Sequence, residues 1–264
     1  MKFAIISDIH VGEEGEHKGV MRKLSRYSMQ FLKDFIARMN VDIKPEFVVN
    51  LGDAISGKSA ETNVQNLHTV LEALKQIESP VFNLVGNHEQ WANTREELEL
   101  ALGLDSLYFS IDLGEYHLLF LLSESFQGAD AEVGVEQKKW LKTDLEKSDK
   151  RTLVFIHHPL ADQSQVGNFW FEGRENRALV GNRHEIRDIF ETSGSVVAVF
   201  NGHTHWNKMD VHNGIPYFNI TSIVENFRND GTPSASYAIV DVDENEIHVD
   251  IVGEDRAHYT YAFT

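Results

Sequence analysis

An α/β fold containing mixed β-sheet is what this sequence predicts, and three observations predict it. Short apolar runs rich in β-branched residues recur along the chain, stretches of helical period separate them, and after about residue 215 the alternation gives way to β-rich runs joined by a tight turn. The runs Phe3 to Ile6, Phe47 to Leu51, Val81 to Val85, Leu118 to Leu122, Leu153 to Ile156 and Val196 to Phe200 are too short for helices and are predicted as buried strands. Between the first two, Val20, Leu24, Tyr27, Phe31 and Phe35 recur at three- and four-residue spacing, which predicts a helix over Val20 to Met39. Arg22, Lys23 and Arg26 then lie on its solvated face. Val64, Leu67, Leu71 and Leu74 repeat the helical stripe, and Thr94 to Glu97 has the form of a capping box. Glu136 to Lys147 and Arg183 to Thr192 complete the helices. Tyr237 to Val242 and Ile247 to Val252, joined by Asp243-Glu244-Asn245, predict a hairpin, so the 215–264 part is expected to be antiparallel.

The chain has 264 residues, 42% of them hydrophobic, with 5 Pro and 18 Gly, enough to bury a substantial core. That length fits one large or two small domains; without an internal repeat or linker-like stretch, a single domain over 1–264 is expected. Basic residues number 24 against 41 acidic, a net charge of −17 that argues against a long nucleic acid as partner. An anionic substrate would need a local source of positive charge. No apolar run reaches the roughly 18 residues of a membrane span, and acidic residues follow the apolar start at once, so the expected setting is the cytoplasm, with no membrane partner. With no cysteine and 13 histidines, any metal must be held by imidazole, carboxylate and amide groups.

Five polar clusters each follow a predicted strand: Asp8-Ile9-His10, Gly52-Asp53, Gly86-Asn87-His88-Glu89, His157-His158-Pro159 and Gly202-His203-Thr204-His205. Strand ends are where an α/β sheet lets distant side chains converge on one crevice without disturbing the core. Imidazole with carboxylate and amide oxygen suits Mn, Fe, Zn or Co.

In this order the clusters D-x-H, G-D, G-N-H-E, H and G-H-x-H resemble the calcineurin-like metallophosphoesterase superfamily over residues 8 to 205. The resemblance implies mixed sheets packed as a sandwich flanked by helices. It also implies two divalent metal ions (Mn, Fe or Zn), one held by Asp8, His10 and His205, the other by Asn87, His157 and His203, with Asp53 bridging. His88 takes the catalytic position, hydrogen-bonding a phosphoryl oxygen or protonating the leaving oxygen, and His158 supports the ligands from behind. Two such cations with two carboxylates and a bridging hydroxide leave roughly +1 in the crevice of a strongly negative protein, an attractor for a phosphoester. The implied reaction is phosphoester hydrolysis by in-line attack of that hydroxide.

Within the superfamily, Ser56 in GDAISG replaces a common Asp or Asn, and Gly57 and Lys58 stand where protein phosphatases carry an arginine-containing stretch. A weaker resemblance, in GDAISG, Trp91 after GNHE, His157-x-Pro159-Leu160 and Ile223-Val224-Glu225, is to manganese-dependent ADP-ribose/CDP-alcohol pyrophosphatases. Small-molecule phosphodiesterases share the metal pattern. Small phosphodiesters or nucleotide-type pyrophosphates are therefore the expected substrates. The alternatives are a catalytically silent scaffold that binds protein, a phosphomonoesterase and a nuclease. The 162–181 segment, irregular but carrying Phe169, Trp170, Phe171, Arg174 and Arg177, is either a substrate-facing cap or a loop anchored by its aromatics. As a cap it would bring Trp170 to a base and Arg174 to a second phosphate. Glu13, Glu14 and Glu16 with Gly12 and Gly15 read as a mobile acidic loop without an assigned role.

Overall fold

The computed structural model of the protein describes residues 1–57, 59–91, 93–126 and 130–263; Lys58 lies outside them. Two six-stranded mixed sheets face each other. In the first the strand order is Ala257–Ala262, Glu246–Val252, Tyr237–Val242, Lys2–Ile6, Phe47–Asn50, Val81–Asn83. In the second it is Lys208–His212, Ile215–Asn219, Val196–Asn201, Arg151–Ile156, Tyr116–Leu121, Phe109–Leu113. Lys2–Ile6, Phe47–Asn50 and Val81–Asn83 run parallel to one another, as do Tyr116–Leu121, Arg151–Ile156, Val196–Asn201 and Ile215–Asn219, while the remaining strands of both sheets pair antiparallel.

Period-two alternation sends each central strand two ways. Phe3, Ile5, Phe47 and Val49 from the first sheet meet Phe120, Phe155, Phe200 and Phe218 from the second in one buried cluster between the sheets. Phe155 stacks on Phe120 and Phe200 at centroid distances of 5.2 and 5.4 Å, and Phe3 meets both Phe155 and Phe200 edge-on at 5.8 and 5.5 Å, which stitches one sheet to the other. The alternate residues Ala4, Ile6 and Val48 face outward, where helices Ser28–Arg38 and Ala60–Leu74 cover them with Leu32, Phe35, Val70 and Leu74. On the other outer face Leu119, Val154, Ile156 and Val199 are covered by Leu141 and Leu145 of Val135–Lys147 and by Ile186 and Phe190 of Arg183–Ser193. Strands buried on both faces read as continuous apolar runs, which is why the sequence exposed them. The sandwich flanked by helices is the architecture the sequence implied.

Several boundaries differ, each for a physical reason. Val20–Lys23 is a strand hairpinned with Gly15–His17, and the helix begins only at Ser28, after a 3-10 turn over Ser25–Tyr27. The apparent stripe from Val20 mixed two elements. Arg22 and Lys23 are consequently buried, at 4% and 8% exposure, rather than solvated. Val64 is half exposed, because Asn63, Leu67, Val70 and Leu74 form the buried face of its helix. Thr94 does cap its helix, its hydroxyl accepting from Glu97 N while the Glu97 carboxylate accepts from Thr94 N. The turn at Asp243 closes as expected, with Asp243 Oδ1 accepting from Asn245 and Glu246 N–H. Ile215–Asn219, however, pairs parallel with Val196–Asn201, so the antiparallel C-terminal part begins at Tyr237. No helix among the described residues is long and apolar enough to cross a membrane.

Candidate metal centre

The five polar clusters come together beyond the carboxyl ends of the central strands of both sheets. Backbone bonds lock them in place: Asp8 N–H donates to Gly52 O at 3.0 Å, His10 N–H to Asp53 O at 3.0 Å and Gly202 N–H to His157 O at 3.0 Å. The turns are tight enough to force unusual backbone. Asp8, His10, Asp53, His203 and His205 all have φ between +50° and +68°, in the left-handed region where a non-glycine residue costs on the order of 1 to 3 kcal/mol. Glycine is required where these turns touch: a Cβ on Gly86 would collide with the Asp53 carboxylate, and one on Gly202 with Ser7 Oγ and Asp8 Oδ2.

The side chains are aimed by partners on their far sides. His10 Nδ1 faces Ile55 O at 3.3 Å, His157 Nδ1 faces Leu51 O at 3.0 Å, His203 Nε2 faces Arg177 O at 3.0 Å and His205 Nδ1 meets Glu225 Oε2 at 2.7 Å. Carbonyl and carboxylate oxygens only accept, so each of these nitrogens carries the proton and the other ring nitrogen turns inward. The inward atoms cluster. His10 Nε2 and His205 Nε2 are 3.0 Å apart, and Asp8 Oδ1 lies 3.7 and 3.3 Å from them. His157 Nε2 is 3.4 Å from Asp53 Oδ2. Asp8 Oδ1, Asn87 Oδ1 and His157 Nε2 are buried without a hydrogen-bond partner among the described residues.

Such an arrangement demands positive charge, and it does so in two places. Burial opposes protonation of His205, yet the carboxylates of Asp8 and Glu225 outweigh it and push the group up to about 9. Burial likewise opposes protonation of His157, and Asp53, Asp8 and Glu89 push it up to about 9. Where a proton is so favoured between lone pairs, a divalent cation competes for the same place. Groups of ligand atoms within 4.8 Å of one another are formed by Asp8, His10 and His205, by Asp8, Asp53 and His157, by His10, Asp53 and His88, and by His157, His158 and His203. Imidazole, carboxylate and amide oxygen form the donor set, which suits borderline divalent cations.

The remaining polar residues have clear tasks. Glu89 accepts from Gly86 N at 2.7 Å, Asp53 N at 3.0 Å and Ile55 N at 3.1 Å, so it staples the two carboxylate-bearing loops together; burial and the Asp53 charge push it up to about 7. His158 pairs through Nδ1 with Ser123 Oγ at 2.7 Å, and its ring lies 4.0 Å from that of His203. His88 stands over the centre, its ring 5.0 Å from His10 and 4.9 Å from Trp91. Burial, with the Lys23 charge, lowers it to about 4 against the pull of Asp53, so at neutral pH it is an uncharged imidazole.

His10, Asp53, Asn87, His88, His203 and His205 line a cleft of about 300 Å³ whose opposite wall is the 162–181 segment, contributing Trp170, Phe171, Arg174 and Arg177. That segment is both wall and anchored loop. Asn168 donates to Thr204 O and accepts from Trp170 and Phe171 N–H; Trp170 Nε1–H donates to Glu225 Oε2 at 3.0 Å. Glu225, at 1% exposure, thus holds a candidate ligand and the cleft wall at once, a link visible in sequence only as part of a resemblance. Phe169 packs under the Arg22 guanidinium, 3.2 Å from the ring centre, and takes no place on the cleft.

Comparison with known proteins agrees with the geometry. The model of the calcineurin-like phosphoesterase family matches residues 1–207. The chain is 28% identical over 180 residues to the glycerophosphodiester phosphodiesterase GpdQ of Enterobacter lignolyticus, a match covering 65% of this chain and 60% of that one. It is 32% identical over 102 residues to the human manganese-dependent ADP-ribose/CDP-alcohol diphosphatase, covering 36% of this chain and 30% of that protein. Among solved structures, a dimetal phosphatase of Danio rerio superposes over 100% of this chain and 99% of its own, with a TM-score of 0.78 at 18% identity, which shows a shared fold. The chain belongs to the calcineurin-like phosphoesterase family.

Proposed function

We propose that the protein hydrolyses small phosphodiesters or nucleotide-type pyrophosphates with the help of two divalent cations drawn from Mn, Fe and Zn. One observation carries the reading: buried lone pairs of Asp8, Asn87 and His157, without hydrogen-bond partners among the described residues, gather with those of His10 and His205 at and beneath the floor of one cleft. A silent scaffold gives no account of such lone pairs, since an unmatched buried polar atom costs about 1 to 3 kcal/mol. Asp8, His10 and His205 would hold one ion and Asn87, His157 and His203 the other, with Asp53 placed to serve both. Bound cations supply Lewis acidity toward phosphoryl oxygens and a nucleophilic water at neutral pH.

The rest is done by the chain. His88, neutral and fixed by its backbone bond to Asp53 Oδ1 at 2.9 Å, directs its ring into the cleft, where its N–H meets a phosphoryl or leaving oxygen. Trp170 and Phe171 offer faces for a base, and Arg174 a fork for a second phosphate. The similarity to a phosphodiesterase and a diphosphatase supports this pair of substrate classes.

The test loads the protein separately with Mn, Fe and Zn and assays phosphomonoesters, cyclic nucleotides, glycerophosphodiesters and nucleotide pyrophosphates. Turnover of a diester or pyrophosphate that chelation abolishes, and that Asp53→Asn loses together with bound metal, is expected. Full metal occupancy with no phosphoester hydrolysed would overturn the reading.

A further inference from the structure

The cleft has a third wall. The hairpin of Gly15–His17 and Val20–Lys23 leans on the 162–181 segment, with the His17 ring 5.5 Å from Trp170, and it places Lys23 in the lining beside Asp53, His88 and His205. Room for this lysine comes from Gly15. A Cβ there would sit 3.0 Å from Lys23 Cε and 3.2 Å from Trp170 Cη2, so a side chain at 15 would push the stem and the indole apart. At its tip Nζ donates to Ser56 Oγ at 2.5 Å, and no carboxylate of a described residue forms an ion pair with it.

A buried ammonium whose direct partner is a neutral hydroxyl needs compensating charge from elsewhere. Burial lowers the basicity of Lys23, while Asp53, Asp8, Glu225 and Glu13 act on it from beyond hydrogen-bond reach to raise it. Asp8 and Asp53 are metal-ligand candidates, and Glu225 already serves His205 and Trp170. Cations at the centre would consume the first two. Glu225 and Glu13 then act on Lys23 only from a distance, and because its hydrogen-bond partner Ser56 is a neutral hydroxyl, the ammonium can be met directly by an anion entering the cleft.

We propose that Lys23, aimed by Ser56, binds the second phosphate of a pyrophosphate substrate together with Arg174 of the facing wall and so sets a preference for diphosphates over singly charged diesters. This rests on the phosphohydrolase reading for its reaction but not for its binding step. The experiment compares wild type with Lys23→Met and Ser56→Asp, the second of which leaves the lysine in place and neutralises it. Each metal-loaded protein is titrated calorimetrically with methylenediphosphonate and assayed on ADP-ribose and on bis(p-nitrophenyl) phosphate, with metal content measured throughout. Both variants should bind the diphosphonate and use ADP-ribose roughly 10- to 150-fold less well, chiefly through KM, while the singly charged diester changes less than about threefold. Lys23→Arg should retain most of the affinity. Unchanged diphosphonate binding overturns the proposal, as do equal losses on both substrates or a loss of metal in the variants. If no phosphoester is turned over, the hydrolase reading fails while the calorimetry still decides the role of Lys23.

Discussion

Replacing Glu225 should weaken metal binding although it is not among the candidate ligands. Its Oε2 accepts the Nδ1–H of His205 at 2.7 Å and the Nε1–H of Trp170 at 3.0 Å, while Oε1 is buried without a partner. Glu225→Gln can keep both bonds by leaving its oxygen at the Oε2 position, but the charge is gone and the new amide nitrogen takes the unpartnered place. A charge-assisted bond is worth about 1 to 1.5 kcal/mol more than a neutral one, so Gln should lower affinity for the first cation about 5- to 13-fold. Glu225→Ala removes the orienting partner of His205 altogether and should cost roughly 10- to 100-fold, the range for losing such support behind a ligand. It also leaves the indole N–H unmatched, so Trp170 should become more mobile. Calorimetric titration with Mn or Zn, alongside fluorescence anisotropy of the indoles, measures both effects. Wild-type affinity in both variants would show that the inward aim of His205 does not depend on Glu225.

Other outcomes follow from the same geometry. His88→Ala should keep both metals and lose about 2- to 13-fold in turnover alike on esters with poor and with activated leaving groups, as expected for a neutral imidazole that donates one hydrogen bond to a phosphoryl oxygen; a loss confined to poor leaving groups would show instead that His88 protonates the leaving oxygen. Trp170→Ala should weaken a nucleotide substrate about 5- to 150-fold through lost stacking and spare a baseless diester; equal losses with a lowered Tm would make the indole an anchor only. His117 is raised above the ordinary histidine range by its bond to Asp144, against burial and with help from Asp112. A group raised on folding stabilises most below its unfolded value, so stability from His117 is full below about pH 6.5 and fades as pH climbs through the folded value. His117→Gln should flatten the Tm profile across that rise; an unchanged slope would remove His117 as its source.

The fold and the candidate ligands were legible in sequence because both rest on short-range rules. Strands such as Arg151–Ile156, buried on both faces, cannot alternate with polar residues, so they stand out as apolar runs. The polar residues after them are conspicuous because His, Asp and Asn cluster there at the ends of otherwise apolar runs. Strands with intermediate burial were missed: Phe109–Leu113 and Ala257–Ala262 lie at sheet edges, where one face is wet and the pattern dilutes.

The parts that decide selectivity obey no local rule. Lys23 sits in a stretch whose spacing imitates a helix, yet it is buried because Gly15, Ser56 and Trp170, from three separate segments, leave room and a partner for it. Trp170 looked equally suited to stack on a ligand or to anchor a loop, and the structure gives its edge to Glu225 and its surface to the cleft. Metal ligation needs only that several strand ends point one way, which the sheets guarantee. Substrate choice needs side chains from unrelated loops to agree on one volume, and such agreement appears only when the chain is folded. In this family member, the hairpin of Gly15–His17 and Val20–Lys23 together with the 162–181 segment therefore carries substrate choice, but not independently of the ligands behind it: Arg177 O aims His203, and Trp170 shares Glu225 with His205.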